Sequence, residues 1–267
     1  MRQYSVFFKM RVINGLQYRT AAYAGMATQF FWGAMEILLY SAFYRSNAAA
    51  FPMTMSQLSS YIWLKQAFLA LFMTWGLDQE IFALITSGNV AYELVRPLDL
   101  YCMWFVRNLA SRVAKVIVRC GPLLLVAVLL PEPYGLAAPG SLLQFGLFLL
   151  SMILGIFVTI AVCMLIYIPA FWTISAAGVN SIAMTVIEFL SGGIIPLPFM
   201  PEQVEWILNL LPFASMQNTP FLIYSGHVAE AKALAAVALQ LVWLAILVGI
   251  GWYIMRRALR RVVVQGG

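Results

Sequence analysis

The sequence has few of the residues that enzyme and metal sites require. It contains one histidine, His227, and only three cysteines. No glycine-rich loop ends in Gly-Lys-Ser or Gly-Lys-Thr, the string that holds nucleotide phosphates in many ATPases. Acid pairs such as Asp78 with Glu80 are expected at solvated helix ends. The sequence therefore predicts that the protein is not an enzyme, binds no cofactor or metal, and hydrolyses no nucleotide.

Charge is scarce as well, and one long segment is almost without it. Residues 142–198 contain no lysine, arginine, aspartate or histidine and a single acid, Glu188. A lipid core about 30 Å thick is crossed by about 20 helical residues, so this segment is long enough for two crossings. Pro169 is the expected corner, because proline breaks the helical hydrogen-bond ladder. We expect the first of these helices to be peripheral and the second to serve the function.

The remaining composition predicts an all-α, polytopic membrane protein. Apolar residues make up 63% of the chain and charged residues 10%, against about 45–50% and about 25% in soluble domains. Mean hydropathy is +0.88. Windows of about 19 residues indicate six transmembrane helices in one domain, residues 1–267. The predicted spans are Ala21–Tyr44, Leu58–Leu77, Val116–Tyr134, Ser141–Ile168, Phe171–Ile195 and Ala233–Met255.

Lysine and arginine are concentrated on one side of this predicted bundle. Short cytoplasmic loops retain positive charge, and translocated loops are depleted of it. The bases lie before the first span, between spans two and three, and after the last span: Arg2, Lys9, Arg11, Arg19, Arg96, Arg107, Arg112, Lys115, Arg119, Arg256, Arg257, Arg260 and Arg261. Both termini are therefore predicted to be cytoplasmic. The net charge of +6 indicates topology and attraction to membrane lipid, and no nucleic-acid binding is expected.

Two further segments are predicted to lie against the bundle or the membrane surface. Residues 1–20 are expected to form an N-terminal interfacial helix. Residues 196–232 are expected to form a re-entrant helical stretch on the outer side, where five prolines interrupt an apolar sequence. Between Pro201 and Pro212 the pattern predicts a short amphipathic helix. Irregular backbone at membrane depth must be covered by protein or line a wet cavity.

Two acids lie inside predicted spans, where an ionisable group is costly unless it faces a partner or water. Glu36 in the first span and Glu188 in the fifth are each about 15 residues from the inner end, so they share one depth. Asn180, Ser181 and Thr185 occupy the fifth helix, and helical spacing aligns the last two with Glu188. We predict that this stripe faces a cavity or a subunit seam. Packing between helices through small residues is an equally open alternative.

The connector at residues 86–108 is the longest predicted cytosolic segment. Gly88 begins and Pro97 ends a predicted short helix, and Asp99 is placed to cap the helix that follows. A short exposed element that is framed by helix breakers and carries both signs of charge favours docking to a partner. A loop that lies on lipid headgroups is the alternative.

Leu190-Ser191-Gly192-Gly193 matches the first four letters of the signature loop of ABC ATPases. The string lies at the outer end of an apolar span, so we interpret it as a coincidence and not as a nucleotide site. The two glycines are predicted to loosen the end of the fifth helix before a turn.

Two longer strings give a more specific signal. Ile-Thr-Ser-Gly-Asn-Val-Ala-Tyr-Glu-Leu-Val-Arg-Pro-Leu occupies residues 85–98, and Leu-Ser-Gly-Gly-Ile-Ile-Pro-Leu-Pro-Phe-Met-Pro occupies residues 190–201. With six spans, an interfacial N-terminus and a re-entrant stretch after span five, they resemble the permeases of type 2 ABC exporters over nearly the whole chain. The first string looks like the coupling segment of that family. Its Arg-Pro-Leu ending looks like a subgroup of small permeases with a separate ATPase and often a second permease.

The resemblance implies one half of a multidrug-like exporter in a bacterial-type plasma membrane. Two permeases would form the pathway at their seam, and two separate ABC ATPases, which bind ATP and Mg²⁺, would dock below. The residues implied to couple to the ATPase are Val90, Ala91, Tyr92, Glu93, Leu94, Val95 and Arg96. The residues predicted to approach the pathway are Glu36, Asn180, Ser181, Thr185 and Glu188.

Two other functions stay open on the sequence alone. An ATP-independent transporter or channel would be expected to show ion-coupling acids, broken helices in two halves or inverted repeats, and the sequence has no such symmetry. A membrane scaffold without transport also fits the composition. An ATPase gene beside this one would favour the exporter, and its absence would weaken that interpretation.

Overall fold

The computed structural model describes residues 2–17, 19–172 and 177–260. Within these ranges the regular structure is helical and includes no β-strand, which confirms the predicted all-α class. The α-helices are α1 (Arg2–Gly15), α2 (Arg19–Ser46), α3 (Met55–Ala67), α4 (Leu69–Phe72), α5 (Gln79–Thr86), α6 (Val90–Leu94), α7 (Leu100–Leu129), α8 (Leu142–Tyr167), α9 (Ala177–Leu190), α10 (Glu202–Leu210), α11 (Asn218–Tyr224) and α12 (Glu230–Leu259). Short 3₁₀ turns occur at Ala48–Ala50, Ile168–Phe171 and Leu197–Phe199.

The side chains are distributed in the sense typical of a membrane protein. Two helical stretches, Leu142–Phe171 and Glu230–Leu259, are long and apolar enough to cross a bilayer. Polar residues such as Lys65 and Gln240 are buried within the bundle, whereas Phe31 on α2 is 71% exposed. Soluble proteins bury large apolar residues and keep lysine at the surface. The exposed apolar faces therefore indicate contact with lipid.

Helices lie at the positions of the predicted spans, but three of them differ from the prediction in extent. The second predicted span, Leu58–Leu77, is not one helix, because α3 ends at Ala67 and α4 covers only Leu69–Phe72. The third belongs to α7, which begins at Leu100 and ends at Leu129. The fifth contains α9, whose 14 residues give a length of about 21 Å.

The predicted connector between spans two and three is mostly helical. α7 is continuous from Leu100, so Arg107 and Arg112 belong to the helix that Asp99 caps. Sequence analysis places these two bases at the membrane surface, but the structure buries both side chains. The reason is that neighbouring segments offer carboxylate and carbonyl oxygens to the guanidinium groups.

α8 lies at the centre of the bundle, so the prediction that the fourth span is peripheral is wrong. α8 packs against α4, α7, α11 and α12, and Val158, Ile160 and Ala161 are fully buried. A Cβ atom at Gly155 would overlap the carbonyl oxygen of Met216, so this glycine allows a close approach of the two backbones. The helix has few polar residues, and the close backbone approach at Gly155 is what allows its central position.

The helix breaks and caps that the sequence predicts are present. α8 ends in the 3₁₀ turn that contains Pro169. The side chain of Asp99 caps α7 by accepting a hydrogen bond from the Cys102 amide. Pro201 precedes α10, which is mostly exposed, and α11 is buried against α3 and α8. The stretch after α9 is therefore partly a surface helix and partly core.

α1 lies alongside the first half of α7. The Asp99 amide donates to the Tyr4 hydroxyl over 3.1 Å, and a Cβ atom on Gly15 would lie 2.7 Å from the Cβ of Ala114. These two contacts show that the helices run in the same direction. The apolar side chains of Val6 and Met10 are exposed, as an interfacial helix requires.

Candidate translocation path and coupling segment

A buried polar cluster lies where α2, α3, the end of α9 and the start of α11 meet. We define this cluster by Glu36, Tyr61, Lys65, Thr74, Glu188, Ser191, Gln217 and Asn218. Among the residues that the structure describes, no group of three or more histidine, cysteine or acidic side chains is placed to hold a metal ion. Hydrogen bonds and one ion pair connect its side chains.

An ion pair joins α2 to α3 inside the cluster. Lys65 Nζ lies 2.5 Å from Glu36 Oε1, and the two side chains are 5% and 17% exposed. A lone charge in such surroundings would lose most of its hydration, but a close pair offsets part of that cost. Glu36 is therefore not an isolated intramembrane acid, because it is neutralised by the neighbouring helix.

Sequence analysis missed Lys65, although a signal for it was present. Lys65 lies near the middle of the second predicted span, where a base is as costly as an acid. Consecutive spans run in opposite directions, and Glu36 precedes the connector by about as many residues as Lys65 follows it. The pairing could therefore have been predicted from depth alone.

Tyr61 connects the cluster to the turn after α9. Its hydroxyl lies 3.1 Å from the carbonyl oxygen of Gly192 and 3.0 Å from Asn218 Oδ1, and both atoms are acceptors. A hydroxyl has one proton, so Tyr61 donates to one of them at a time. Gly192 has a φ of +77°, which an L side chain rarely adopts, and it closes the helix as the sequence predicts.

Glu188 lies near the C-terminal end of α9, and its side chain points toward Thr74 inside the bundle. Thr74 Oγ1 lies 3.4 Å from Glu188 Oε2, and Gln217 donates to Ser191 over 2.9 Å beside it. A Cβ atom at Gly193 would overlap Glu188 Oε1 and would lie 2.7 Å from Gln217 Nε2. Gly193 is thus the residue that leaves room for the Glu188 carboxylate.

The predicted polar stripe on α9 is divided between two environments. Ser181 and Thr185 lie on the exposed face, and the Thr185 hydroxyl donates to the Ser181 carbonyl over 3.0 Å. Asn180 is buried on the opposite side. Glu188 lies at the boundary between the two faces. The structure therefore brings Glu36 and Glu188 into one cluster, but it does not bring the other three residues into it.

The second predicted span is interrupted beside this cluster. α3 ends at Ala67, and α4 ends one turn later. Arg112 Nη1, on α7, donates to the carbonyl oxygens of Leu71 and Met73 over 2.7 and 2.9 Å, and Nη2 donates to Cys163 Sγ. The last carbonyls of a helix have no partner within the helix. Arg112 supplies that partner, which explains why it is buried.

The predicted coupling segment contains the short helix α6, as the breakers at Gly88 and Pro97 indicate. Val90 is buried, and Glu93 Oε2 accepts a 2.6 Å hydrogen bond from the indole of Trp104 on α7. Tyr92 and Val95 are 76% and 83% exposed. Ala91 is half-buried, and Leu94 and Arg96 are exposed. The segment thus has a fixed base and an exposed apolar tip.

An ion-pair network ties α5 to α7 next to α6. Arg107 Nε donates to Asp78 Oδ2 over 2.6 Å, and Arg107 also pairs with Glu80. Asp78 additionally caps α5 through the Glu80 amide, so it is a paired cap and not only a solvated helix end. Burial lowers the pKa of Arg107, but the hydrogen bonds and negative charges of the two acids outweigh that effect and raise the pKa.

Residues 30–266 match the family described as ABC-2 family transporter protein. The chain belongs to the ABC-2 transporter family. The matched region contains the buried polar cluster and α6, and it excludes α1. No curated protein matches the chain.

The ABC-2 membership gives the geometry its functional class. The chain is a membrane-embedded permease of an ABC transporter, and proteins of this class are transport components that are generally not catalytic themselves.

Proposed function

We propose that the chain is the transmembrane permease subunit of an ATP-driven ABC exporter. A separate ABC ATPase would bind ATP and Mg²⁺, and a second permease, identical or similar, would complete the pathway. The observation that carries this proposal is the exposed apolar tip of α6, Tyr92 with Leu94 and Val95. An exposed apolar patch that is framed by polar residues marks an interaction site.

The construction of α6 supports docking rather than simple contact with headgroups. Buried Val90 and the bond from Trp104 to Glu93 hold the short helix against α7. The pairing of Arg107 with Asp78 holds α5 against the same helix. A force applied to the tip would therefore reach α7 without passing through a flexible loop.

We place the translocation path between the exposed face of α9 and the second permease. Ser181 and Thr185 give this otherwise apolar face two hydroxyl groups, and Glu188 is the charged residue of the same helix. The polar cluster has two carboxylates and one ammonium group. A net negative charge would favour a cationic amphiphile as the substrate.

The proposed topology has six spans with both termini in the cytoplasm of a bacterial-type plasma membrane. The last turn of α12 contains Arg256 and Arg257, and the guanidinium of Arg256 lies 3.5 Å from the ring centre of Trp252. Arginine with tryptophan at a helix end is typical of the membrane surface. On this topology residues 1–20 lie at the inner surface and residues 196–232 at the outer one.

The proposal is tested by copurification of the tagged permease with its native partners. The wild-type chain is expected to retain an ABC ATPase that mass spectrometry identifies. A double variant, Tyr92→Ala with Val95→Ser, is expected to weaken that association at least about tenfold, because truncation of two contact residues costs about 1–2 kcal/mol each. ATP hydrolysis by the complex, with and without cationic amphiphiles, is measured in parallel.

The matched control is Val204→Ser with Trp206→Ala, which changes two exposed apolar residues on α10. This variant should retain the ATPase like the wild type. Full retention by the α6 variant would show that the coupling assignment is wrong. A wild-type chain that retains no ATPase would instead favour an ATP-independent transporter or a scaffold.

A further inference from the structure

A cationic pocket lies between α1 and α7, and its lining includes the ion pairs of Arg107 with Asp78 and Glu80. Its volume is about 410 Å³, and α1, the segment before α5 and α7 all line it. Its charged lining residues are Arg11, Asp78, Glu80, Arg107, Arg112 and Lys115. Four bases and two acids leave an excess of two positive charges.

The positive charge in this pocket is not neutralised within the described part of the chain. Arg107 pairs with both acids. Arg112 is held by backbone carbonyls, and its buried Nε atom has no hydrogen-bond partner. The guanidinium of Arg11 lies over the ring of Phe7. Across residues 2–17, 19–172 and 177–260, neither Arg11 nor Arg112 has an ion pair.

Lys115 is a base of the pocket that lacks a counter-ion among the described residues. It is half-buried, and it has no hydrogen bond or ion pair to any residue that the structure describes. Burial, and then the charges of Arg112 and Arg119, lower the pKa of Lys115. An anion beside the ammonium group would offset the lost hydration and the repulsion together.

The surroundings of the pocket indicate the source of such an anion. Ile117, two residues beyond Lys115 on α7, is 56% exposed, and Val6 and Met10 on α1 are also exposed. Asn14 and Ser111 add hydrogen-bond donors to the pocket lining. Basic pockets that open beside apolar helix surfaces bind lipid headgroups.

We propose that this pocket binds the phosphate-bearing headgroup of an anionic phospholipid. The phosphate lies against Lys115 and Arg11, and the acyl chains lie in the lipid around α1 and α7. The proposed topology enters only in the choice of leaflet, which would be the cytoplasmic one. The lipid would then fix α1 against α7.

The test uses the purified full-length chain in neutral detergent, with fluorescently labelled phosphatidylglycerol as the probe and labelled phosphatidylcholine as the neutral reference. Lys115→Gln is expected to weaken phosphatidylglycerol binding about fivefold, the effect of one base near an anionic lipid. Phosphatidylcholine binding should not change, and Lys115→Arg should retain the affinity. Arg11→Gln, which leaves the core of α7 intact, is expected to show a similar loss.

The matched control is Lys9→Gln, which removes the same charge from an exposed position on α1. An equal loss in this control would show that surface charge in general attracts the lipid and would overturn the pocket. Wild-type affinity in Arg11→Gln would also overturn it. Displacement of the probe by inorganic phosphate would overturn the lipid assignment. The readout needs neither ATPase nor transport, so it can fail or succeed independently of the proposed function.

Discussion

Two ion-pair sites join neighbouring helices in the described part of the chain, and they differ in how exposed one of their acids is. Lys65 and Glu36 pair inside the apolar bundle, with side chains 5% and 17% exposed. Arg107 pairs with Asp78 and Glu80 near the coupling segment, where the Glu80 side chain is 74% exposed. Water can replace Glu80 beside Arg107, but the Lys65–Glu36 pair is mostly buried. The Lys65–Glu36 pair is therefore expected to contribute to stability, whereas the Glu80 contact is free to exchange while Arg107 stays paired with Asp78.

The largest effect is expected from Lys65→Met, which leaves the Glu36 carboxylate buried without a partner. Removal of one member of a buried pair costs about 3 kcal/mol, so the free energy of unfolding in detergent should fall by about that amount. The control is Lys65→Met combined with Glu36→Leu, which removes both charges and should restore most of the stability. A single variant as stable as the wild type would contradict the assignment of a buried pair.

A smaller effect is expected when the polar cluster is crowded without any change of charge. Gly193→Ala places a methyl group where the Glu188 carboxylate lies, and displacement of the side chain should cost about 2 kcal/mol. Thermal unfolding in detergent measures the loss. Gly121→Ala on α7 meets no atom within 4 Å and should stabilise the helix by up to about 1 kcal/mol. Equal effects of the two variants would show that Glu188 is not confined.

The smallest effect is expected for the contact of Arg107 with the exposed Glu80. Glu80→Gln leaves Arg107 paired with Asp78 and removes an exposed contact, so the loss of stability should be below about 1 kcal/mol. High salt should reduce the difference further, because exposed pairs are screened. A loss as large as that of Lys65→Met would mean that the two sites do not differ as their exposure indicates.

The features that sequence analysis predicts correctly depend on local chemistry. Gly88 and Pro97 frame α6, Asp99 caps α7, and Pro169 ends α8, because each acts on its own few residues. The apolar composition likewise determines the all-α membrane class. The roles of Glu36, Asn180, Ser181, Thr185 and Glu188 in a pathway remain predictions.

The features that it misses depend on contacts between distant residues. Neither glycine nor proline marks the break at Phe68. Arg112, from another helix, donates to the last carbonyls of the short α4, and such a contact leaves no local signal in the sequence. The central position of α8 depends on the close approach at Gly155. A hydropathy window averages over such single residues, so it detects the spans but not their order of burial.

The hydrogen bonds from Arg112 to the carbonyls of Leu71 and Met73 connect α7 mechanically to the end of α4. α7 starts beside the coupling segment, and Arg112 lies about 20 Å further along the same unbroken helix. A shift at the start of α7 must therefore appear at the carbonyls of Leu71 and Met73, since no intervening loop can absorb it. The break between α3 and α4, at Phe68, is then the joint next to these carbonyls at which the chain can bend. A response to movement of α7 would then require bending at one short joint and no refolding of a helix.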